Sequence, residues 1–262
     1  MLEICGEAVI VMLLGLGAGL FVGTSSGTAG TLLIPGLTMV VGYATPRAIG
    51  TSLAVDVVIG GTAGLIFLRN NNVDLRSSFL LAVTGLAGAI MGSIFTADAP
   101  EAGMNVFIGL FLMLIGISFV KNGAKRNVYF VQNAAPLTVI RRHKTTALLC
   151  LGFIVGTISG FAGLGGGRMM MLVLILVLGY GVHTAVGTSF ILMLFVAGAG
   201  AVSHAFHHEV VPGTVALLAP AAAVGALTAS TVANKIDEDR LARVVGAIIV
   251  ALGVLLAVRT FW

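Results

Sequence analysis

Charged residues are scarce in this chain. Asp, Glu, Lys and Arg make up 9% of its 262 residues and hydrophobic residues 58%, whereas about a quarter of a typical soluble chain is charged. A soluble domain of this length could not bury so much apolar surface. The apolar runs also lack the alternating pattern of a membrane β-barrel. The composition therefore predicts an all-α polytopic membrane protein, with apolar segments long enough to cross a bilayer.

Other absences narrow the function. The two cysteines, Cys5 and Cys150, form no CxxC pair, so there is no disulfide framework or thiolate metal motif. The first 46 residues contain no Lys or Arg, so we expect no cleavable signal peptide. No HExxH motif and no paired His/Asp cluster lies in the apolar segments, which argues against an enzyme. We expect no cofactor and no metal. His204, His207, His208 and Glu209 crowd one short loop, for which a zinc site is the alternative, but we interpret them as solvated loop residues.

Glycine is abundant instead, with 36 residues, and it marks two related halves. Eight positions match at a spacing of 133 residues. The second half then has four extra residues, after which six positions match at a spacing of 137. The first set pairs Gly19, Val22, Gly23, Thr24, Ser26, Gly27, Ala29 and Gly30 with Gly152, Val155, Gly156, Thr157, Ser159, Gly160, Ala162 and Gly163. The second set pairs Gly42, Tyr43, Ala48, Gly50, Thr51 and Ser52 with Gly179, Tyr180, Ala185, Gly187, Thr188 and Ser189. Blocks of this length in the same order indicate an internal duplication.

The duplication divides the chain into a first transmembrane repeat, 1–120, a polar linker, 121–144, and a second transmembrane repeat, 145–262. Each repeat contains five apolar segments. In the first repeat they span about 6–23, 29–43, 47–68, 77–96 and 103–120. In the second they span about 145–157, 163–181, 184–206, 213–233 and 241–258. The first two segments of each repeat are predicted to form a broken or re-entrant helix pair.

Basic residues orient these segments. The linker carries six of the fourteen Lys and Arg residues, which predicts that it is cytoplasmic. The loops at 69–76 and 234–243 are basic, whereas the loops at 97–102 and 204–212 contain no Lys or Arg. Corresponding loops thus carry opposite bias, which predicts inverted repeats in the inner or plasma membrane with both termini outside. A parallel four-plus-four arrangement is the alternative.

Both repeats interrupt their first apolar stretch with small residues, VGTSSGTAG at 22–30 and SGFAGLGGGR at 159–168. Such breaks are tolerated in a membrane where the freed backbone groups line a cavity, and transporters turn the resulting helix N-termini toward anionic substrates. Tight helix packing by small residues is the alternative. The predicted anion ligands are Ser25, Ser26, Gly27, Thr28, Gly30, Ser159, Gly160, Gly163, Gly165, Gly166 and Gly167.

A Gly-Thr-Ser triplet also recurs, at 50–52 and 187–189. Its hydroxyl groups are predicted either to extend the anion site or to cap helix N-termini. They belong to Thr51, Ser52, Thr188 and Ser189.

Three charged residues complete the predicted site. Arg168, and less directly Arg47, would attract an anion, although an interfacial position suits Arg168 equally well. Asp56 lies well inside an apolar segment, where a carboxylate is by default functional. It would carry a coupling proton or serve as the counter-ion of Arg47 or Arg168.

These motifs resemble those of the TauE/SafE family of sulfite exporters and related anion permeases. The similar stretches are GxxSGFAGLGGG at 156–167 with AVGTS at 185–189, and GTSSGTAGTLLIPGL at 23–37 with AIGTS at 48–52. The resemblance covers about 8–258, and the first half departs from the pattern because SSGTAG stands where a glycine-richer run is common. The resemblance implies a bacterial or archaeal inner-membrane transporter of sulfite, sulfonates or related organosulfur anions.

We therefore predict a transporter that alternates access to a midplane site formed by the two breaks. Its partners would be a small anionic substrate and the lipid bilayer, with no nucleic acid. The sequence leaves open whether the chain forms a homo-oligomer. The alternatives are an anion channel and a proton-coupled uptake permease for small organic anions.

Overall fold

The structure, a computed structural model, describes residues 2–25, 27–76, 78–132 and 143–232, with residues 247, 250, 251 and 253–255. All regular elements in these ranges are helices, as predicted. The first half contains α1 (Leu2–Ser25), α2 (Gly30–Gly36, continued by a π-helical turn, Leu37–Val41), α3 (Thr45–Arg69), α4 (Phe79–Asp98) and α5 (Glu101–Gln132). The second contains α6 (Lys144–Ala162), α7 (Gly167–Val173, continued by a π-helical turn, Leu174–Leu178), α8 (Val182–Phe206) and α9 (Pro212–Val232).

Five of the described helices are long and apolar enough to cross a membrane. They cover Thr45–Arg69, Phe79–Thr96, Lys144–Ala162, His183–Phe206 and Pro212–Thr231. Their outer faces expose large apolar side chains such as Phe79 and Phe206, which suits contact with lipid. The chain is therefore a multi-pass membrane protein.

The helices after the two breaks are short. Gly30–Val41 holds 7 and 5 residues in its two parts, a rise of about 18 Å, which is roughly half of the hydrocarbon thickness. Gly42 and Gly179 end these short helices in the left-handed conformation, with φ of 79° and 71°, which glycine adopts without steric strain.

One predicted boundary changes. The helix α5 does not end near 120 but continues to Gln132, into the segment predicted as a linker. The last predicted segment, 241–258, lies mostly outside the described residues. Within it, Gly253 lies against the backbone of Gly109 and Met113 of α5.

The two halves are related by one constant spacing. Ser25 and Ala162 end α1 and α6, Gly30 and Gly167 begin α2 and α7, and Thr45 and Val182 begin α3 and α8. Each pair is 137 residues apart, so the expectation of four extra residues in the second half is wrong. The match at 133 is one helical turn out of register. It arose because residues four apart share a helix face and both first helices carry glycines at that interval.

The helices pack in exchanged pairs. Helix α1 of the first half lies along α9 of the second, and α6 of the second half lies along α4 of the first. Three glycines spaced one turn apart let the backbones approach in each pair. They are Gly15, Gly19 and Gly23 on α1, and Gly152, Gly156 and Gly160 on α6.

The related helices α3 and α8 pack against each other at the centre and run in opposite directions. Gly50 near the start of α3 lies against His204 near the end of α8. Gly64 near the end of α3 lies against Ile191, in the first half of α8. This central pair supports the two breaks from both sides.

Candidate functional site

The two breaks cross each other at the centre of the protein. Gly30, the first residue of α2, lies so close to the backbone of Gly163 that a methyl group on it would overlap that residue's carbonyl. Gly163, Gly165 and Gly166 adopt left-handed conformations with φ of 66°, 48° and 69°. Only glycine adopts this run of dihedral angles readily, so the GLGGG stretch forms the tight turn between α6 and α7.

Asp56 of α3 joins both breaks. Its Oδ1 accepts a hydrogen bond of 2.7 Å from the backbone N–H of Ala29 in the first break. The Cα of Gly165 in the second break lies so close to Oδ2 that residue 165 has no room for a side chain. Oδ2 has no hydrogen-bond partner among the described residues, so neither Arg47 nor Arg168 donates to it. The contact with Ala29 is one that sequence reasoning missed, because a backbone donor has no sequence signature.

Three buried side-chain oxygens at this crossing lack partners in the described part of the chain. They are Oδ2 of Asp56, Oγ1 of Thr28 and Oγ of Ser159. The Cβ of Thr28 and the carboxylate of Asp56 both face the Cα of Gly165, and the Cβ of Ser159 faces Gly166. Buried polar groups without partners are costly and rare in proteins, so these atoms mark the centre of the candidate site. All three residues were predicted from the sequence.

The threonines of the two triplets have a different environment. Thr51 Oγ1 accepts a hydrogen bond of 3.2 Å from the N–H of Val211, and Thr188 Oγ1 accepts one of 3.0 Å from the N–H of Asp74. Each hydroxyl thus holds a loop that follows the central helix of the other half. Their observed contacts match the capping alternative more closely than anion binding, although the donor lies in another segment.

The serines of the triplets bond to their own helices. Ser52 Oγ donates to Ile49 O at 2.8 Å, with Gly163 O a further acceptor at 3.4 Å. Ser189 Oγ donates to Val186 O at 2.8 Å. Ser52 is therefore adjacent to the second break, and no such contact is found for Ser189 among the described residues.

The remaining predicted ligands divide between the break and the helices. Gly27 is buried in the first break and Gly167 begins α7. Gly160 lies inside α6 and packs on Ala89 of α4, which is the small-residue packing alternative. Ser25 ends α1, and Ser26 lies outside the described residues.

The two arginines differ in position. Arg168 is half-buried in the first turn of α7, directly after the second break. Arg47 is exposed in the first turn of α3, nine residues and roughly 13 Å along the helix from Asp56. The structure therefore places Arg168, and not Arg47, next to the break.

One interpretation of the histidines is wrong. His207 and His208 are exposed, but His204 is fully buried. It lies in the last turn of α8. Because α8 is apolar on all sides, its sequence has no periodic pattern that would show which face of the helix is buried.

Sequence comparison with known proteins shows the family of this chain. The profile of the family described as "Sulfite exporter TauE/SafE" matches residues 11–256. The chain belongs to this family. A probable membrane transporter protein of Bacillus subtilis (strain 168), YunE, is 25% identical to it over 265 residues, covering 94% of this chain and 95% of the relative. A probable membrane transporter protein of Xylella fastidiosa (strain Temecula1) is 27% identical, covering 93% and 94%. No solved structure matches the chain.

Proposed function

We propose that this TauE/SafE family member transports sulfite or a related organosulfur anion through a site at the crossing of the two helix breaks. The observation that carries the proposal is the cluster of buried oxygens without partners, on Thr28, Asp56 and Ser159. Hydroxyl groups donate to oxyanions, and such hydrogen bonds are stronger than neutral ones. The backbone N–H groups at the start of α7, which have no acceptor within their own helix, add further donors, and Arg168 adds positive charge.

The protonation state of Asp56 decides whether an anion binds there. An ionised carboxylate at Oδ2 would repel the anion, whereas a protonated one presents an O–H that donates to it. Anion and proton would thus occupy the site together. This pairing makes Asp56 the candidate for coupling, because a monovalent anion that enters a cell with a negative interior must overcome about 2.3 kcal/mol per 100 mV. Export of the same anion gains that energy and needs no coupling.

The arrangement of the halves supports alternating access. Corresponding helices α3 and α8 run antiparallel, and the exchanged pairs α1 with α9 and α4 with α6 recur under the 137-residue relation. We infer inverted repeats that rock about the crossing. With the basic segment 121–144 in the cytoplasm of a bacterial or archaeal cell, both termini lie outside.

Ligand-induced thermal stabilisation of the purified protein tests the substrate class. Sulfite, thiosulfate, methanesulfonate and acetate are compared, and we expect the three sulfur anions to raise the unfolding midpoint. The variants Thr28→Val and Ser159→Ala each remove one donor to a charged group, a loss of about 1.5–3 kcal/mol and therefore of roughly tenfold or more in affinity. Thr62→Val is the matched control, because the acceptors of Thr62 Oγ1 among the described residues lie in its own helix, Val58 O at 2.8 Å and Ile59 O at 3.1 Å. The proposal is contradicted if none of the sulfur anions raises the unfolding midpoint. It is also contradicted if they raise the midpoint of Thr28→Val and Ser159→Ala as much as that of the wild type.

The mode of transport is tested separately in proteoliposomes. A carrier exchanges labelled sulfite for unlabelled sulfite, and its exchange rate saturates with sulfite concentration, because each transport cycle carries one bound anion across the membrane. An anion channel, the alternative, gives single-channel currents and no accelerated exchange. Currents without exchange would leave the site in place but refute alternating access.

A further inference from the structure

A buried ionisable pair lies beside the second break. His204 Nδ1 is 2.5 Å from Glu209 Oε2, and the two side chains are 0% and 13% exposed. The other ring nitrogen, Nε2, is 2.9 Å from the carbonyl oxygen of Gly160 in the last turn of α6. The pair thus ties the loop after α8 to the helix end that leads into the GLGGG turn.

The hydrogen bonds define the protons of this pair. A carbonyl oxygen only accepts, so Nε2 must carry a hydrogen and donate it to Gly160. The bond between Nδ1 and Oε2 then holds one shared proton, as imidazolium with carboxylate or as neutral imidazole with carboxylic acid. Removing that proton sets a nitrogen lone pair against a carboxylate. Adding a second proton replaces the carboxylate by a neutral carboxyl group, which still accepts from the imidazolium but without the ionic contribution. The first change breaks this bond and the second weakens it.

The repeat shows that the fold does not require this pair. The residues 137 positions earlier are Phe67 and Asn72, and they occupy equivalent places. Gly50 lies against His204 and the Glu209 carbonyl, and Gly187 lies against Phe67 and the Asn72 carbonyl. The first half therefore builds the same contact without an ionisable side chain at either of these two positions.

Few other charges surround the pair. Residues 152–162 of α6 and 212–232 of α9 are apolar or small polar residues and contain no ionisable side chain. From α5, Glu101 is bound to the N–H of Thr45 at 2.8 Å. The other ionisable side chains of its own loop and of the first turn of α3 are His207, His208 and Arg47, all exposed. Within the pair, Glu209 is the partly exposed member and His204 is fully buried.

We propose that His204 and Glu209 form a proton-binding site that holds the second break in place and makes transport depend on the pH at the α8–α9 loop. The inference rests on the proposed transport function, and it adds a control site distinct from Asp56. While the pair holds its shared proton, Gly160 is fixed. When the pair gains or loses a proton, Glu209 no longer fixes the imidazole. The Nε2 bond to Gly160 is then held less firmly, and so is the turn that carries Gly165 against Asp56. His204 and Glu209 act as positioning residues, since neither lies among the unpartnered oxygens.

The variant Glu209→Gln isolates the proton. Glutamine can donate to a neutral Nδ1 or accept from a protonated one, so the bond persists without depending on pH. We measure sulfite exchange in proteoliposomes with equal pH on both sides, from acid to alkaline. The wild-type rate should show a pH dependence that the Glu209→Gln profile lacks. Superimposed profiles overturn the proposal.

A second variant guards against a folding defect. His204→Phe with Glu209→Asn installs the residues that the first half already carries in the same place. It should fold, and its exchange should follow the same pH profile as that of Glu209→Gln. If the wild type exchanges no sulfite, the proposed function fails and the pair is tested by stability alone. The unfolding midpoint of the wild type should then fall at acid and alkaline pH relative to Glu209→Gln. Coincident midpoint curves would refute the proton-binding site whether or not sulfite is the substrate.

Discussion

Replacing Gly165 by alanine should block the candidate site. Gly165 has a φ of 48°, and a methyl group there would overlap Oδ2 of Asp56 and lie 3.1 Å from the Cβ of Thr28. The carboxylate cannot easily withdraw, because Oδ1 is held by the N–H of Ala29 at 2.7 Å. The methyl group would thus occupy the space that the unpartnered oxygens face.

The magnitude follows from two contributions. A left-handed conformation costs a non-glycine residue about 1–2 kcal/mol, and overpacking costs about 1–3 kcal/mol more. Gly165→Ala should therefore destabilise the protein by about 2–5 kcal/mol. Gly42→Ala is the control for the first contribution, since Gly42 has a φ of 79° and nothing within 4 Å of the added methyl group. Gly166→Ala is intermediate, with φ of 69° and Val155 at 3.3 Å.

The assay compares unfolding midpoints and sulfite exchange for the three variants. All three should lower the midpoint, Gly165→Ala the most. Exchange per folded molecule should persist in Gly42→Ala and fall at least about tenfold in Gly165→Ala, which corresponds to 1.4 kcal/mol or more of lost binding. Equal exchange in Gly165→Ala and Gly42→Ala would refute the placement of the site at Asp56.

Three further outcomes are expected. Asp56→Asn keeps a hydrogen-bond donor but has no ionisable proton. Sulfite exchange should therefore persist, while sulfite accumulation driven by a pH gradient should disappear. Accumulation equal to that of the wild type would contradict the coupling role of Asp56. Thr51→Val and Thr188→Val each leave a loop N–H without its acceptor. Each should destabilise the protein by about 1–3 kcal/mol, as measured by thermal unfolding. A large effect of only one of them would contradict the equivalence of the two loops. Gly19→Val should destabilise by about 1–3 kcal/mol, because its side chain meets the backbone of Ala222, whereas an equally large effect of Gly17→Val, where space is open, would refute the packing of α1 on α9.

The elements themselves could be predicted because their signals are local. Apolar length shows which segments are helices, and clustered Gly, Ser and Thr show where they break, within a few residues of Ser25 and Ala162. The register of the duplication could not be read in the same way. Glycines four residues apart serve the same helix face, so a match one turn away scores as well as the structural one, and only the helix ends distinguish them.

The side chains of the site show the same division. Asp56, Thr28 and Ser159 were predicted because polar residues inside apolar segments are conspicuous. The threonines of the triplets were equally conspicuous, yet Thr51 and Thr188 bond to loops of the opposite half. The burial of His204 was missed, because it depends on Gly160 and Gly50 in two other helices.

By itself, the sequence determined that this chain is a helical membrane protein with two broken helices in related halves, since hydropathy and glycine clusters act over a few residues. Tertiary structure alone decided that the breaks meet. Asp56 bonds to Ala29, 27 residues before it, and lies against Gly165, far along the chain. Such contacts result from the packing of α3 and α8 between the halves, and no local pattern encodes that packing.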